Sequence, residues 1–475
     1  MAVLNSLISI FTNHGLISFS IAVAIVALPL LLRFIFFYTK ARLQFPGPPV
    51  RNLLVGNLDQ TMANDVHEKW LQWNREYGHV YQTWNGLFSR VIYIGDPRII
   101  SEIATTNWPK SETQYEGFRP LDGDALFVQT DTERWKMQSK RLAPAFQPHI
   151  IQGQYGSLKK HIMNYIGQLD RAAQDNTVAD LSSLHILLSI DFIGEIAFGT
   201  NFRALEQGPS CRISQLLEMI LPELMKCGLF PLRGKIPIFE KTRIMNRAIA
   251  ELRGMAEDAV RDSRQKNKTQ NEKGYINPGK KIFEILAFRF PSGWGRSNCA
   301  YNLRNPEILA KVRDEVDASI PLCTDIPTLD QVKLPYLNMV LKETLRYSSP
   351  GFGTFRICAV DTTVAGVKLP ANTTLALWNP AVHRDPRLWK DADKFDPERW
   401  RAGDTKTKGA YFPFSYGPRS CTGKGLAMFE MTLTLATLFR RYDMRLEDNF
   451  ELEYLPSFTL KPKNGLPVRL TRRVI

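Results

Sequence analysis

Phe414-Ser415-Tyr416-Gly417-Pro418-Arg419-Ser420-Cys421-Thr422-Gly423 constrains this chain more than any other stretch. It reads F-x-x-G-x-R-x-C-x-G and runs into an apolar helical segment from about Gly425 to Tyr442. Chance would place these fixed residue types somewhere in such a chain with odds on the order of one in ten thousand, so the decamer is read as a site. Each type has a physical reason to be there. The two glycines allow a sharp turn and a close approach of backbone to a flat ligand. Arg419 supplies a fixed cation for a carboxylate. Cys421 stands where a helix N-terminus favours a thiolate. A buried structural cysteine in a Gly-Pro loop is the competing reading, and two motifs upstream weigh against it.

The first is Glu343 with Arg346, on a helix that starts at Pro335 and carries Leu337, Val340, Leu341, Thr344 and Leu345 on one face. Alone, such an i,i+3 pair reads as a solvated surface contact. The second is Pro397-Glu398-Arg399-Trp400, between that helix and the decamer. Taken in this order, the three motifs resemble those of the cytochrome P-450 family of haem-thiolate monooxygenases, from about Phe45 to the C-terminus. The resemblance implies a mainly α fold with small β-sheets, formed by a single haem domain. It makes haem the cofactor and Cys421 the axial ligand of its iron; a thiolate there pushes electron density toward bound oxygen and favours O–O cleavage. It places Arg419, Arg356 and Trp135 at the haem propionates, Phe414 beside the thiolate and Gly423 against the ring. Glu343, Arg346 and Arg399 become a buried lock on the proximal side, since a carboxylate between two guanidiniums leaves no charge unpaired. His383-Arg384-Asp385-Pro386 matches a further, mostly structural, segment. Two departures stand out: Trp400 replaces a phenylalanine, and Ser139 stands four residues after Trp135 where a base is expected.

A larger departure concerns the distal side. Members of this family carry a long helix with A/G-G-x-D/E-T-T/S, whose acid and hydroxyl deliver protons to bound oxygen. No such motif occurs here; Thr105-Thr106, Thr362-Thr363 and Thr373-Thr374 lack the preceding Gly-x-acid. Crossing a molecule of this size takes roughly 30 residues, about 45 Å of helix. The window from Ile282 to Arg304 is shorter and contains Pro291, Gly293 and Gly295, which argue against one continuous helix. Ile282–Ala287 reads as a helix start, Tyr301–Leu303 as a helix end, and Phe288–Cys299 as foreign to both. Three readings stand open: a truncated or mis-assembled version of an active enzyme, a haem-binding relative without oxygen activation, or a relay built from other residues such as Ser292 or Ser297.

The rest of the chain fits a membrane-bound enzyme. Residues 1–32 contain no Lys, Arg, Asp or Glu, and Leu16–Leu32 is mostly apolar, followed by Arg33, Lys40 and Arg42. About 20 apolar residues span a bilayer, and flanking cations mark the cytosolic side. Residues 1–39 are therefore expected to form a single-pass anchor in the endoplasmic reticulum, and 40–475 a cytosolic catalytic domain. Basic residues after rather than before the apolar run disfavour a cleaved signal peptide. Phe45-Pro46-Gly47-Pro48-Pro49 reads as a stiff hinge between the two. The net charge of +14 comes without any Lys/Arg run. A basic surface facing anionic lipid or an acidic protein fits this better than nucleic acid. Six cysteines at irregular spacings, with no C-x-x-C, argue against a disulfide framework and a zinc site and fit a reducing compartment.

Local patterns predict helices over Val66–Tyr77, from Glu133 to Pro144, over Ser182–Phe198 and Ile213–Leu224, and from a start at Asn305-Pro306 to about Ser319. Val91–Ile94 reads as a strand, and Asp361–Pro370 as a strand and turn. Leu224–Ile238 reads as an apolar loop, either a pocket roof or plain surface, and Ser263–Lys281 as a flexible polar segment. Pro350–Phe355 and Leu455–Phe458 are expected to line the pocket. The expected activity is oxidation of a hydrophobic small molecule, in secondary metabolism, using O2 and electrons from an NADPH-cytochrome reductase. The rival is a non-catalytic or oxygen-independent haem-binding relative.

Overall fold

The computed structural model describes residues 44–473 except 53, 87–88, 231, 237, 268–288, 322–323, 402–408 and 456–459, with a few isolated positions nearer the N-terminus. The chain divides into two compact units, Met1–Pro48 and Pro49–Ile475. Almost all of the expected anchor, and Phe288 with the rest of 268–288, lie outside the described residues.

The second unit is mainly helical, with small sheets. Its longer helices are α1 (Val66–Tyr77), α2 (Thr132–Leu142), α3 (Tyr155–Gln174), α4 (Leu181–Phe198), α5 (Arg212–Leu229), α6 (Glu240–Asn267), α7 (Arg289–Arg304), α8 (Pro306–Ser319), α9 (Pro335–Tyr347) and α10 (Lys424–Arg441). The strands are β1 (Val80–Trp84), β2 (Arg90–Ile94), β3 (Ala179–Asp180), β4 (Gly353–Ile357), β5 (Thr362–Val364), β6 (Val367–Leu369), β7 (Thr374–Trp378), β8 (Tyr442–Leu446), β9 (Tyr454–Leu455), β10 (Lys461–Pro462) and β11 (Pro467–Arg472). One sheet runs β1-β2-β7-β4, with β2 and β7 parallel and the outer pairs antiparallel. An aromatic cluster covers it: Trp70 of α1 lies edge-on to Trp378 at 4.4 Å, and Tyr81 stacks on Tyr93 at 5.0 Å. A second sheet, β3-β11-β8, takes β8 directly from the end of α10.

Helix starts follow local chemistry. Asp131 accepts from the amides of Glu133 and Arg134 at the head of α2, and Asp180 does the same for Ser182 and Ser183 at the head of α4. Asn305 behaves differently from expectation: it precedes α8, yet its amide nitrogen bonds back to Tyr301 O and its side chain caps nothing. Pro306 in the first turn starts that helix instead, where its missing N–H costs nothing. Among the described residues α4 alone is long and apolar enough to cross a membrane, and 78% of that apolar window is buried, so it is a core helix.

Three expectations change. Leu224–Leu229 belongs to α5, which continues through Pro222, and Leu232–Lys235 adds a short helical turn, so the apolar Leu224–Ile238 segment is largely helix. The buried faces of α5 and its packing on α6 outweigh the proline. Ser263–Asn267 closes α6 as helix rather than as a flexible segment; the remainder to Lys281 lies outside the described residues. The part of Phe288–Cys299 that is described, from Arg289, is continuous helix. Pro291, Gly293 and Gly295 lie within it, each disfavoured there by propensity and outweighed by the packing of the helix on its neighbours. Helix α7 lies against α4, α9 and α10, with Asn298, Cys299, Ala300 and Asn302 fully buried.

Candidate functional site

Glu343 and Arg346 stand one turn apart on α9, both with no exposed surface. Arg346 Nε and Nη2 donate to the two carboxylate oxygens at 2.9 and 2.8 Å. Arg399 Nε adds 3.1 Å, and the Asp396 amide 2.8 Å. Trp400, in place of phenylalanine, gives its indole N–H to the other carboxylate oxygen at 3.0 Å. A buried carboxylate is therefore fully hydrogen-bonded, the condition under which a buried ion pair is tolerated.

This lock reaches the cysteine loop through His383. Arg346 Nη1 donates to His383 O at 2.8 Å, and His383 Nε2 accepts from the Phe412 amide at 3.0 Å. Burial and the neighbouring Arg346 lower the His383 pKa to about 3, so the ring stays neutral and can accept that bond. From Phe412 the loop turns: the Ser415 amide bonds to Phe412 O, and the Cys421 amide to Phe414 O at 2.8 Å. Gly417 has φ +74°, and a Cβ there would meet Ala104 O at 2.3 Å, so only glycine fits. Gly423 precedes α10 with ordinary dihedrals. A Cβ on it would lie 3.9 Å from Cys421 Sγ and touch nothing closer. Protein packing does not demand that glycine, and the space beside the sulfur is open. Phe414 is buried in the core next to this turn.

Cys421 is the exposed member of the five described cysteines, all of them free. Its thiol differs from the sequence expectation. Amides of Gly423 and Lys424 and the Lys424 charge pull its pKa down as the helix N-terminus should. Desolvation by the protein atoms crowded around the sulfur acts more strongly and holds it above the ordinary value, although the residue keeps an open side toward solvent. The helix start alone does not make a thiolate; that requires a partner charge.

The predicted carboxylate-binding residues converge beyond the loop. Arg419 is held by Asn107 Oδ1 at 3.0 Å, Gln129 O at 2.9 Å and Thr132 Oγ1 at 3.2 Å, and its guanidinium lies 4.5 Å over the Trp135 ring. Trp135 thus stacks on Arg419. Arg356, 1% exposed on β4, bonds Thr354 Oγ1 and has a buried Nε without a partner. Lys110, which no sequence pattern singles out, faces Arg356 across an isolated β-bridge. Its ammonium bonds Phe127 O and lies over the rings of Tyr115 and Phe127. Burial, then Arg356 and Arg419, drive the Lys110 pKa well below its usual value; burial and then Arg356 lower Arg419 to about 10. Three buried cations repel one another, and among the described residues none forms an ion pair. The position of Lys110 follows from the bridge to β4, which is a tertiary contact. Ser139, at the place of the missing base, makes no hydrogen bond to this cluster among the described residues.

These features fit a haem: a free thiol, a glycine-sized opening beside it, and cations awaiting carboxylates. Of the proposed pocket walls, Pro350 and Phe352 are buried, while Pro456–Phe458 lies outside the described residues. Ser297 is buried on α7 and receives a 3.4 Å bond from Tyr454 OH; Ser292 lies in a stretch whose side chains are not described.

Comparison with known proteins agrees with this geometry. The cytochrome P450 family matches residues 46–278 and 301–467, leaving out 279–300 and with it most of α7. Among curated relatives, cytochrome P450 734A1 of Arabidopsis thaliana is 26% identical over 84% of this chain and 82% of its own length. Cytochrome P450 3A30 of Fundulus heteroclitus is 23% identical, covering 84% and 87%. Cytochrome P450 monooxygenase sphH of Aspergillus fumigatus is 25% identical, covering 90% and 88%. With both halves of the lock and the cysteine loop inside the matched segments, the chain belongs to the cytochrome P450 family of haem-thiolate monooxygenases.

Proposed function

We propose that this chain oxidises a hydrophobic small molecule, with electrons from an NADPH-cytochrome reductase, as a single-pass protein of the endoplasmic reticulum whose residues 40–475 face the cytosol. Secondary metabolite biosynthesis is the setting we favour. The observation that carries the reading is the buried trio Lys110, Arg356 and Arg419 beside the Cys421 loop, with no ion pair to a carboxylate of the protein among the described residues. Two propionates supply the missing charge.

In this reading the Cys421 sulfur would hold the haem iron, and Gly423 would leave room beside it. Arg419, kept flat by Trp135, and Arg356 hold the propionates, with Lys110 as a third donor. Glu343, Arg346 and Arg399 fix the loop through His383. Haem, when bound, supplies the oxygen chemistry; the residues of the chain orient it, exclude water and neutralise its charge.

A second reading, a haem-binding relative that has lost the distal proton relay, draws on the interruption of the family match at 279–300. Reconstitution with a reductase separates the two. The first reading expects NADPH and O2 consumption linked to an oxidised product. Haem binding without any NADPH consumption would favour the second. The interruption further implies loose coupling, with much of the oxygen leaving as reduced oxygen species. A helix of about 20 to 30 residues carrying Gly-x-acid-Thr, inserted between Leu286 and Leu303, should tighten that coupling.

A further inference from the structure

Helix α10 carries a carboxyl group into the core. Glu430 stands about two turns into that helix and is 4% exposed. Opposite it, Ser189 of α4, fully buried, donates to Glu430 Oε1 at 2.6 Å. This contact joins residues 241 positions apart. It ties the core helix α4 to the helix whose first amides, of Gly423 and Lys424, act on the Cys421 sulfur.

The partners of the two buried glutamates differ. Glu343 accepts from two guanidiniums, an indole and an amide. Glu430 accepts from one hydroxyl; its Oε2 is buried without a partner, as is Thr434 Oγ1 one turn on. No ion pair to Glu430 exists among the described residues. A buried carboxylate with one neutral donor and no counter-charge is far costlier than the neutral acid. Glu430 is therefore closed into the core as the acid. Its raised pKa, about 7 through burial and against the pull of the Ser189 bond, agrees.

The elements packed on α10 hold their own titratable groups to other partners. On α4, His185 shares the face of Ser189 and bonds Leu181 O at 2.6 Å, Asp191 accepts from the amides of Ala204 and Leu205, and Glu195 pairs with Lys160 and His161. On α7, Cys299 is buried with its thiol pushed up to about 12, and Tyr301 meets Tyr454. On α8, Asp317 holds Arg440 and Arg473, and Arg313 holds Asp443 of β8. Tyr442 of β8 donates to Asp170, and Glu343 and Arg346 of α9 close on each other. His149, in the short helix Pro148–Gly153, is exposed.

We propose that Glu430 is a proton-operated catch between α4 and α10: as the acid it seats against Ser189 and closes the core behind the Cys421 loop, and as the anion it drives that seam open toward water. The catch acts on folding and haem retention, which goes beyond the oxidation proposed above; only its haem readout rests on that reading. Linkage gives the direction. Between the ordinary 4.5 and about 7 the folded chain keeps a proton that the unfolded chain has lost. Stability therefore falls as pH rises across that window and levels off above it.

Urea unfolding of the full-length apoprotein and of Glu430→Gln, in non-ionic detergent from about pH 5 to about pH 8, tests this. The folding constant of the parent, taken relative to Glu430→Gln, should fall by up to about tenfold per pH unit below neutrality and then hold constant. The infrared C=O stretch of a buried acid, absent from Glu430→Gln, should disappear over the same range. If the glutamine variant does not fold, Ser189→Ala serves instead: it should move that disappearance to higher pH, because the serine bond favours the anion. In haem-loaded samples the thiolate band of the reduced, carbon-monoxide-bound form should decay faster in the parent than in Glu430→Gln at the alkaline end, and equally fast at the acidic end. A parent-to-variant ratio that does not change with pH, or no protonated carboxyl signal at acid pH, overturns the proposal. A pH-dependent ratio in a protein that shows no thiolate band would uphold the catch and fault the haem assignment alone.

Discussion

The lock around Glu343 and the cation cluster around Arg356 are both buried and charged, yet they are finished in opposite ways. At Glu343 the chain supplies every partner: two arginines, an indole and a backbone amide. At Lys110, Arg356 and Arg419 it supplies cations and aromatic faces, and no paired carboxylate among the described residues. The first arrangement is complete when the protein folds. The second is complete when its ligand arrives. A self-satisfied polar network holds a structure together, whereas a one-signed buried network marks where something else must bind.

Breaking the lock should have the largest effect. Glu343→Ala leaves Arg346 buried without a counter-charge, which costs about 3–5 kcal/mol. Denaturant unfolding should show that loss, and the purified protein should carry little haem. Arg356→Leu, by contrast, should lower haem affinity by up to about a hundredfold, the equivalent of one strong charge-assisted contact. Haem transfer to apomyoglobin measures it. The apoprotein should melt no lower than the parent, since the substitution relieves repulsion; a sharp drop in apoprotein stability would show that Arg356 belongs with the self-satisfied network instead.

Trp400→Phe restores the residue usual at that place and removes one of the bonds to Glu343. It should cost about 1.5 kcal/mol, at the low end for a bond to a charged group, with haem affinity unchanged. The smallest effect concerns pH. With its folded pKa held by burial well below the ordinary 10.5, Lys110 holds fewer protons in the folded apoprotein than in the unfolded chain across the range between the two values. The apoprotein should therefore gain stability as pH rises toward 10.5, by at most about 1.4 kcal/mol per pH unit. Lys110→Met should remove that gain, and haem loading should blunt it. An unchanged slope in Lys110→Met would separate Lys110 from the cluster.

The same contrast explains what is legible in the sequence. Glu343, Arg346, Arg399 and Cys421 lie in short motifs whose order along the chain carries the family resemblance, and it is that resemblance, not residue order alone, that implies their roles. Trp400 is visible there only as a departure, because no local pattern shows its indole N–H reaching the Glu343 carboxylate, 57 positions earlier in the chain. Lys110, Asn107, Gln129 and Thr132 meet the site through tertiary folding, most of them from connecting segments, and carry no motif of their own. Helix α7 misleads for a different reason: proline and glycines lower helix propensity, yet the segment packs on α4, α9 and α10 with Asn298, Cys299, Ala300 and Asn302 buried. The thiol of Cys421 shows the limit of a local rule as well, since the helix start acts in the expected direction and desolvation by the surrounding protein atoms outweighs it.

The central claim is that Cys421 gives its sulfur to the iron, at the end of a loop that the Glu343 lock holds. The reduced, carbon-monoxide-bound spectrum of the full-length protein tests it most directly, beside Cys421→Ala and Cys299→Ala. The account expects the red-shifted Soret band of a thiolate ligand in the parent and in Cys299→Ala, and its loss in Cys421→Ala. A Soret band typical of histidine ligation in the parent, or a thiolate band that survives Cys421→Ala, would contradict it.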